Sequence, residues 1–169
     1  MTGDSKIRIL TVDDHPVVRE GIAGLVGIQP DMTVVAEAAN GRDAIQHFRA
    51  HRPDVTLMDI QMPEMNGLDA LIAIRTEFPD AKLIVLTTYE GDVHILRALK
   101  AGAHGYLLKD ASPEDLTRAI RATAEGRTWL DHSVASRLVA EFSRDEEPSA
   151  VREPLTDREQ EVLRELAHG

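Results

Sequence analysis

The sequence contains no cysteine among its 169 residues. Disulfide bonds and cysteine-ligated zinc are therefore excluded, and the composition fits a reducing compartment. No segment approaches the roughly 18 consecutive apolar residues that a membrane-spanning helix needs. The amino terminus also lacks the apolar core of a secretory signal peptide. We therefore expect a cytoplasmic protein that does not associate with a membrane.

Several nucleotide-binding and metal-binding motifs are also missing. The sequence has neither a G-x-x-x-x-G-K-[ST] loop nor a G-x-G-x-x-G loop, so neither of these phosphate cradles is expected. No histidines have the spacing of an H-E-x-x-H zinc site, and we interpret the histidines as surface residues. The seven histidines are His15, His47, His51, His94, His104, His132 and His168.

The charge balance is strongly acidic, with 29 Asp and Glu against 19 Lys and Arg and a formal net charge of −10. Such a surface repels a phosphate backbone, so this stretch of chain is not expected to bind nucleic acid by itself. The acidic residues could simply keep the protein soluble. Some of them, however, form a cluster that solubility does not require.

Short apolar runs alternate with longer amphipathic segments as far as residue 126. The five runs are residues 7–12, 33–38, 55–58, 83–86 and 105–108. The third and fourth runs lack polar alternation, which is typical of strands covered on both faces. Between the runs, apolar residues recur at helical spacing, and Pro53, Pro79 and Gly102 end three of the helical segments. Repeated strand–helix units predict an α/β fold with a doubly wound, five-stranded parallel sheet of order 2-1-3-4-5.

The pattern changes after Gly126. A sixth helix is predicted to begin at Asp131 and to carry Val134 on its apolar face. Residues 144–149 are charged and contain a proline, which is typical of a linker. A capping box that begins at Thr156 then predicts the start of a further helix. The region therefore predicts a linker helix, a charged linker and the beginning of a second folded unit.

Polar side chains follow four of the five predicted strands. Asp13 and Asp14 follow the first strand, and Asp59 follows the third. Thr87 ends the fourth strand, and Lys109 follows the fifth. In the order 2-1-3-4-5 these strands are neighbours, and their carboxyl ends form the edge at which open α/β sheets bind ligands. The five side chains are therefore predicted to converge on one crevice.

Three clustered carboxylates are unfavourable without a cation, because two of them at about 4 Å repel by about 4 kcal/mol at an effective dielectric constant of about 20. Oxygen ligands without Cys or His favour Mg²⁺ over zinc or copper. Lys109 offers a positive charge and Thr87 a hydroxyl donor, and both suit a phosphoryl group. Singly, an Asp pair after a strand more often caps a helix, and a lysine there is more often solvated. Their joint placement favours attack of a carboxylate on phosphorus, which gives an aspartyl phosphate.

The motifs at these strand ends resemble those of a response regulator receiver domain. They are Asp13-Asp14, Asp59-Ile60-Gln61-Met62-Pro63 with Asn66-Gly67, Leu86-Thr87-Thr88, and Gly102-Ala103 with Gly105-Tyr106-Leu107-Leu108-Lys109-Asp110. The resemblance covers roughly residues 6–126 and implies a flavodoxin/CheY-like fold. Lys109-Asp110 and Trp129-Leu130 are similar to the NarL/FixJ subfamily.

The resemblance implies a phosphoacceptor and a metal site. Asp59 would accept a phosphoryl group from a histidine kinase. Asp14, Asp59 and the backbone carbonyl of Gln61 would hold Mg²⁺, with Asp13 in support. The phosphorylated protein would regulate transcription as part of a two-component system.

The resemblance also implies a switch. Thr87 and Tyr106 would form the switch pair, and Lys109 would contact the phosphoryl group. The protein would not be an enzyme beyond self-phosphorylation from small donors and autodephosphorylation. Phosphorylation would favour a homodimer.

The tail, residues 154–163, resembles the opening of a LuxR-type helix-turn-helix domain. The implied organisation is a receiver domain at residues 6–126, a linker helix and charged linker at residues 127–153, and the start of a DNA-binding domain at residues 154–169. We expect the remaining helices, including the recognition helix, to be missing from a truncated transcription factor. DNA would then be bound only through the missing part.

Three alternatives remain open at this point. A Mg²⁺-dependent phosphohydrolase could also form an aspartyl phosphate, although haloacid-dehalogenase-like enzymes place the nucleophile in a D-x-D after the first strand, whereas Asp59 follows the third. A flavin-binding module has a similar topology, but the acidic pair after the first strand argues against a phosphate cradle. A receiver-like domain that binds partners without phosphorylation is disfavoured by the complete set of acids, threonine and lysine.

Overall fold

A computed structural model describes residues 5–62, 65–88, 92–130 and 134–136. Strands and helices alternate along this part of the chain. The strands are β1 (Ile7–Val12), β2 (Met32–Ala38), β3 (Val55–Met58), β4 (Leu83–Thr87), β5 (Gly105–Leu108) and β6 (Trp129–Leu130). The helices are α1 (Pro16–Gly27), α2 (Gly41–His51), α3 (Gly67–Glu77), α4 (Asp92–Lys100) and α5 (Pro113–Ala124). The predicted bounds of the first five strands are confirmed to within one residue.

The strands form one parallel sheet of order β2-β1-β3-β4-β5-β6. The predicted doubly wound α/β fold and the order of the first five strands are confirmed. The predicted count of five strands is one too low, because Trp129 pairs with Gly105 and Leu130 pairs with Tyr106 at the edge of the sheet. A strand of two residues is too short to give an alternation pattern in the sequence.

Each face of the sheet carries a buried apolar core. The α2–α4 core contains Phe48, Ile74 and Leu99 from the three helices on one face. The α1–α5 core contains Val26 and Ile120 from the two helices on the other face. Within β3, Leu57 belongs to the α1–α5 core and Met58 to the α2–α4 core. This alternation, with both residues buried, explains why the strand is apolar throughout.

The helix ends follow the signals in the sequence. The Ser112 side chain accepts a hydrogen bond from the backbone N–H of Asp115 and caps α5, with Pro113 in the first turn. Gly102 follows α4 with a φ of 102°, a left-handed conformation that glycine adopts without strain. Ser112 therefore fixes how the chain enters α5 after leaving β5 at the carboxyl edge of the sheet, and Gly102 fixes how the chain leaves α4 before entering β5 at the amino edge.

The chain remains attached to the domain after β6. Residues 134–136 are helical, and Val134 is fully buried in the α2–α4 core, against which Leu130 also packs. The prediction of a helix that buries Val134 agrees with these three residues. The rest of that helix, the charged linker and the predicted start of the second unit lie outside the described residues. No helix within the described ranges is both long and apolar enough to cross a membrane.

Candidate functional site

The sheet brings the predicted strand ends to one edge. In the parallel register, Val12 lies beside Met58, Met58 beside Val85, and Thr87 beside Leu108. The residues that follow these strands therefore lie next to one another. Backbone hydrogen bonds continue the sheet into the site, since Asp59 N–H donates to the Val12 carbonyl at 2.9 Å.

One lysine is shared by two buried carboxylates. Lys109 Nζ lies 2.7 Å from Asp13 Oδ2 and 3.1 Å from Asp59 Oδ2. The side chains of Asp13 and Asp59 are only 4% and 3% exposed, so water cannot solvate their charges fully. Two negative charges in this small space are thus balanced by a single ammonium group.

The pKa values of Asp59 and Lys109 are both raised at this site. Burial raises the pKa of Asp59, the negative charge of Asp13 adds to the rise, and the hydrogen bond from Lys109 only partly opposes it. Burial would by itself lower the pKa of Lys109, but its hydrogen bonds to Asp13 and Asp59 outweigh burial and raise it. The pKa of Asp59 thus rises mainly because the carboxyl group is buried, whereas the pKa of Lys109 rises because its two carboxylate partners outweigh burial.

Asp14 and His15 complete a cluster of four side chains. One oxygen each from Asp13, Asp14 and Asp59 and one ring nitrogen of His15 lie within 4.8 Å of one another. Asp14 Oδ1 is buried and accepts no hydrogen bond, although His15 Nδ1 lies 3.1 Å away. A buried carboxylate oxygen without a donor, beside two further carboxylates, fits a divalent cation.

His15 and Arg19 are the residues that sequence reasoning missed. The His15 ring is 63% exposed, as the surface interpretation predicts, but its Nδ1 lies 2.9 Å from Asp13 Oδ1. Arg19, one turn into α1, donates from Nη1 to the backbone carbonyl of Asp13. Both residues lie within six positions of Asp13, so the signal was their short spacing from the acidic pair at the start of a helix.

The loop after Asp59 closes tightly on that residue. Gln61 N–H donates to Asp59 Oδ1 at 3.2 Å, and Gly67 N–H donates to the Ile60 carbonyl at 2.8 Å. A Cβ atom at position 67 would lie 1.8 Å from the Asp59 carbonyl oxygen, so only glycine fits there. The Asn66 side chain accepts a hydrogen bond from Asp69 N–H and caps α3. The loop thus holds Gln61 beside Asp59; the predicted role of the Gln61 carbonyl stays a prediction.

The predicted switch residues lie on neighbouring strands. Thr87 is fully buried at the end of β4. Tyr106 lies beside Val85 in the register of β4 and β5, and its side chain is fully buried in the α2–α4 core. The Tyr106 ring is therefore turned inward in this structure.

Together, the fold and the site define a class of protein: a doubly wound α/β domain with buried carboxylates and one lysine at the ligand-binding edge. Residues 9–121 match the family of response regulator receiver domains. The chain belongs to this family, and the receiver domain predicted from the strand-end motifs is confirmed.

Relatives of known sequence are transcriptional regulators. The chain is 41% identical to the uncharacterized transcriptional regulatory protein YxjL of Bacillus subtilis, over 97% of this chain and 77% of the relative. It is 37% identical to the nitrate/nitrite response regulator protein NarL of Escherichia coli, over 100% of this chain and 79% of the relative. The predicted similarity to NarL-type regulators is therefore confirmed.

A solved structure of a related protein has a similar fold. The fold is similar to that of a two-component response regulator of the LuxR family from Aurantimonas sp. SI85-9A1, with a TM-score of 0.79 and 37% identity over 82% of this chain and 99% of that structure. The protein is accordingly a receiver domain of the type found in LuxR-family two-component response regulators, which regulate transcription. This assignment favours signalling over the phosphohydrolase considered from the sequence.

Proposed function

We propose that Asp59 accepts a phosphoryl group and that the surrounding residues convert this event into a change of the α4–β5 side of the domain. The observation that carries the proposal is the single lysine shared by two buried carboxylates. Lys109 Nζ contacts both Asp13 and Asp59, yet it leaves the cluster negatively charged. Such a site gains from a bound cation and from a lysine that contacts incoming phosphoryl oxygens.

In the proposed step, a carboxylate oxygen of Asp59 forms a bond to phosphorus. The P–N bond of a phosphohistidine on the kinase breaks, and its electron pair leaves with the imidazole. With acetyl phosphate as donor, the P–O bond breaks and acetate leaves. Lys109 stays close to the Asp59 carboxylate and neutralises charge that develops on the phosphoryl oxygens.

Asp14, Asp59 and the backbone carbonyl of Gln61 would hold Mg²⁺, with Asp13 in support. When bound, Mg²⁺ would neutralise charge on the carboxylates and on the phosphoryl oxygens. Asp14 Oδ1 supports this assignment, because it is a buried acceptor that accepts no hydrogen bond, although His15 Nδ1 lies 3.1 Å away. The Gln61 N–H at 3.2 Å from Asp59 Oδ1 supports a backbone that is held close to the same carboxylate.

Thr87 and Tyr106 would respond to the phosphoryl group. Phosphorylation adds about 1.5 to 2 negative charges at Asp59, and the hydroxyl of Thr87 can donate to them. Movement of Thr87 would change the packing of the buried Tyr106 ring against α4 and β5. To invert an equilibrium from 1:99 to 99:1, the phosphoryl group must favour one state by about 5.5 kcal/mol, of which charge-assisted hydrogen bonds can supply a large part.

The proposed domain organisation places a linker and a DNA-binding unit after the receiver domain. The receiver domain would comprise residues 6–126, and the linker of residues 127–153 would begin packed on it, since β6 pairs with β5 and Val134 is buried in the α2–α4 core. Residues 154–169 would start a LuxR-type DNA-binding domain. We propose a cognate histidine kinase as the phosphoryl donor, a homodimer as the phosphorylated form, and DNA as the target of the full-length regulator. The transcriptional regulators among the relatives support this organisation.

The phosphoacceptor is tested by incubation with acetyl phosphate and Mg²⁺, followed by intact-mass measurement. The wild-type chain should gain one phosphoryl mass, and Asp59→Ala should not. Asp110→Asn is the matched control, because Asp110 is exposed at the same edge of the sheet but lies outside the acidic cluster. A gain of the same mass by Asp59→Ala would show that another residue is the phosphoacceptor.

The metal site and the switch need separate measurements. Mg²⁺ should raise the melting temperature of the wild type, and Asp14→Asn should lose most of that gain. An undiminished gain in Asp14→Asn would remove Asp14 from the metal site. Thr87→Ala should still be phosphorylated but should show a reduced change in NMR shifts around Tyr106. A full wild-type change would exclude Thr87 from the switch.

A further inference from the structure

Two histidines lie one turn apart at the carboxyl end of α2. The rings of His47 and His51 have centroids 5.8 Å apart and an angle of 27° between their planes. Residues four positions apart are neighbours on one face of a helix. The two histidines of an H-E-x-x-H motif have the same separation and bind one metal, although Phe48 stands here in place of the glutamate. The sequence-based exclusion of a histidine metal site therefore does not hold for this pair.

Neither ring is engaged elsewhere in the part of the chain that the structure describes. Both residues are partly exposed, and neither forms a hydrogen bond or an ion pair with another described residue. Two nitrogens at about 2.1 Å from one Zn²⁺ lie roughly 3.3 Å apart in tetrahedral geometry. Because the nitrogens lie on the rims of the rings, rotation of the two side chains can bring them from a centroid separation of 5.8 Å to that distance.

The charges around the histidine pair favour a cation. Arg49 lies on the opposite side of α2, where Glu77 of α3 holds its guanidinium group through hydrogen bonds of 2.7 and 2.9 Å. The guanidinium group of Arg52 lies over an aromatic ring that follows α3, at 4.0 Å from the ring centroid. Asp43, in contrast, lies one turn before His47 on the same face of α2. Both arginines are thus held away from the pair, and a carboxylate lies on its side of the helix.

We propose that His47 and His51 chelate a transition dication of the Zn²⁺ and Cu²⁺ class on the flank of α2, at a site separate from the acidic pocket. Imidazole nitrogens suit these metals, whereas Mg²⁺ takes oxygen ligands almost exclusively. Water or the Asp43 carboxylate completes the coordination. The metal joins the last turn of α2 to the turn before it, from which Phe48 packs into the α2–α4 core. Metal binding here is independent of the phosphorylation of Asp59.

The test titrates Zn²⁺ into the chain at neutral pH and follows the ring signals of each histidine by NMR, with excess Mg²⁺ to occupy the acidic pocket. His47→Gln removes one ligand. The matched control combines His47→Gln with Gln46→His, at an exposed position. It keeps the number of histidines but places one ring about 100° around the helix from its former position. Asp59→Ala removes one carboxylate of the acidic pocket and leaves α2 unchanged.

The signals of His47 and His51 should shift together, with one common midpoint. His47→Gln and the matched control should both weaken this binding by at least about tenfold, because changing even the partners of a metal's ligands commonly costs that much. Asp59→Ala should leave the midpoint of the pair unchanged. This pattern separates a chelating pair from single surface histidines, since the matched control contains as many histidines as the wild type.

Three results would overturn the inference. Different midpoints for His47 and His51 would show that the two rings bind metal singly. Wild-type affinity in the matched control would show that the four-residue separation is not needed and that any surface histidine serves. Loss of Zn²⁺ binding in Asp59→Ala would place the metal in the acidic pocket. That last result would leave the proposed function standing, since the phosphoacceptor is tested separately by intact mass.

Discussion

The acidic residues at the two edges of the sheet differ in their exposure and in their basic partners. At the amino edge, Asp31 precedes β2 and forms two hydrogen bonds with Arg121, of 2.9 and 3.1 Å. Both side chains are about two-fifths exposed, at 43% and 39%. At the carboxyl edge, Asp13 and Asp59 are nearly fully buried and share Lys109. At the amino edge Asp31 has an arginine partner of its own, whereas the two acids at the carboxyl edge share one lysine.

The pKa values of the acids separate the two edges further. The hydrogen bond from Arg121 lowers the pKa of Asp31, whereas burial raises the pKa of Asp59 above its ordinary value of 3.8. A lowered pKa belongs to an ion pair that stabilises the folded chain slightly. A raised pKa belongs to a carboxylate that the fold holds in an unfavourable environment, which is typical of a functional site. The comparison predicts that substitutions at the two edges differ in size and in sign.

The largest effect is expected from Lys109→Met, measured by urea denaturation without metal. It leaves two buried carboxylates without a cation, so we expect a loss of about 3–5 kcal/mol, as for other buried pairs that lose one partner. Adding Asp13→Asn should restore part of the loss, since one of the two charges is then removed. A loss below about 1 kcal/mol would mean that water or protonation reduces the repulsion between the two carboxylates. The two edges would then contribute similarly to the free energy of unfolding.

The next largest effect tests the tight loop beneath Asp59. Gly67→Ala introduces a Cβ atom that would lie 1.8 Å from the Asp59 carbonyl, so the loop must open. We expect a loss of about 1–3 kcal/mol, typical of overpacking, together with slower phosphorylation by acetyl phosphate. Gly24→Ala is the matched control, because no atom lies within 4 Å of a Cβ atom built there in α1. It should raise stability by up to about 1 kcal/mol. Equal effects of the two changes would contradict the tight-loop description.

The sign of the pH dependence should differ between the edges. The raised pKa of Asp59 favours the protonated carboxyl in the folded chain, so its contribution to stability is present below pH 3.8 and is lost as the pH rises through the folded-state pKa. Without metal, Asp59→Asn should therefore become more stable relative to the wild type as the pH rises through that pKa. This gain in the free energy of unfolding should be smaller than the loss caused by Lys109→Met. Urea denaturation between pH 3 and pH 7 measures the difference. A difference that is constant with pH would show that Asp59 is not strained.

The smallest effect is expected at the amino edge. Arg121→Met should cost at most about 1 kcal/mol, and added salt should reduce the cost further. Because the pKa of Asp31 is lowered, the pair stabilises the fold above pH 3.8 and this contribution is lost as the pH falls through the folded-state pKa. The cost should therefore vanish in acid. A cost that persists there would mean that Arg121 stabilises the fold mainly through its hydrogen bond to Gln29 Oε1 or through the packing of its apolar stem.

Most of the fold could be predicted from the sequence because buried parallel strands are short and apolar, and because Pro53, Gly102 and Ser112 mark helix ends. The convergence of Asp13, Asp59 and Lys109 followed from strand order alone. The sixth strand could not be predicted, since two residues carry no period. The contact between the exposed His15 ring and Asp13 could not be predicted, since a sequence pattern does not show which neighbour an exposed ring contacts.

Val134 links the chain beyond the sheet to the interior of the domain. It lies in the same α2–α4 core as Tyr106, a residue of the proposed switch. Linkage between two coupled binding events is reciprocal. If the proposed switch moves the Tyr106 ring and with it Val134, a binding partner that draws Val134 out of the core would change the affinity of the Asp59 pocket for its ligand by the same factor that the ligand applies to the partner. A change at Val134 would then alter ligand binding at the Asp59 pocket, just as ligand binding at the pocket would alter the burial of Val134.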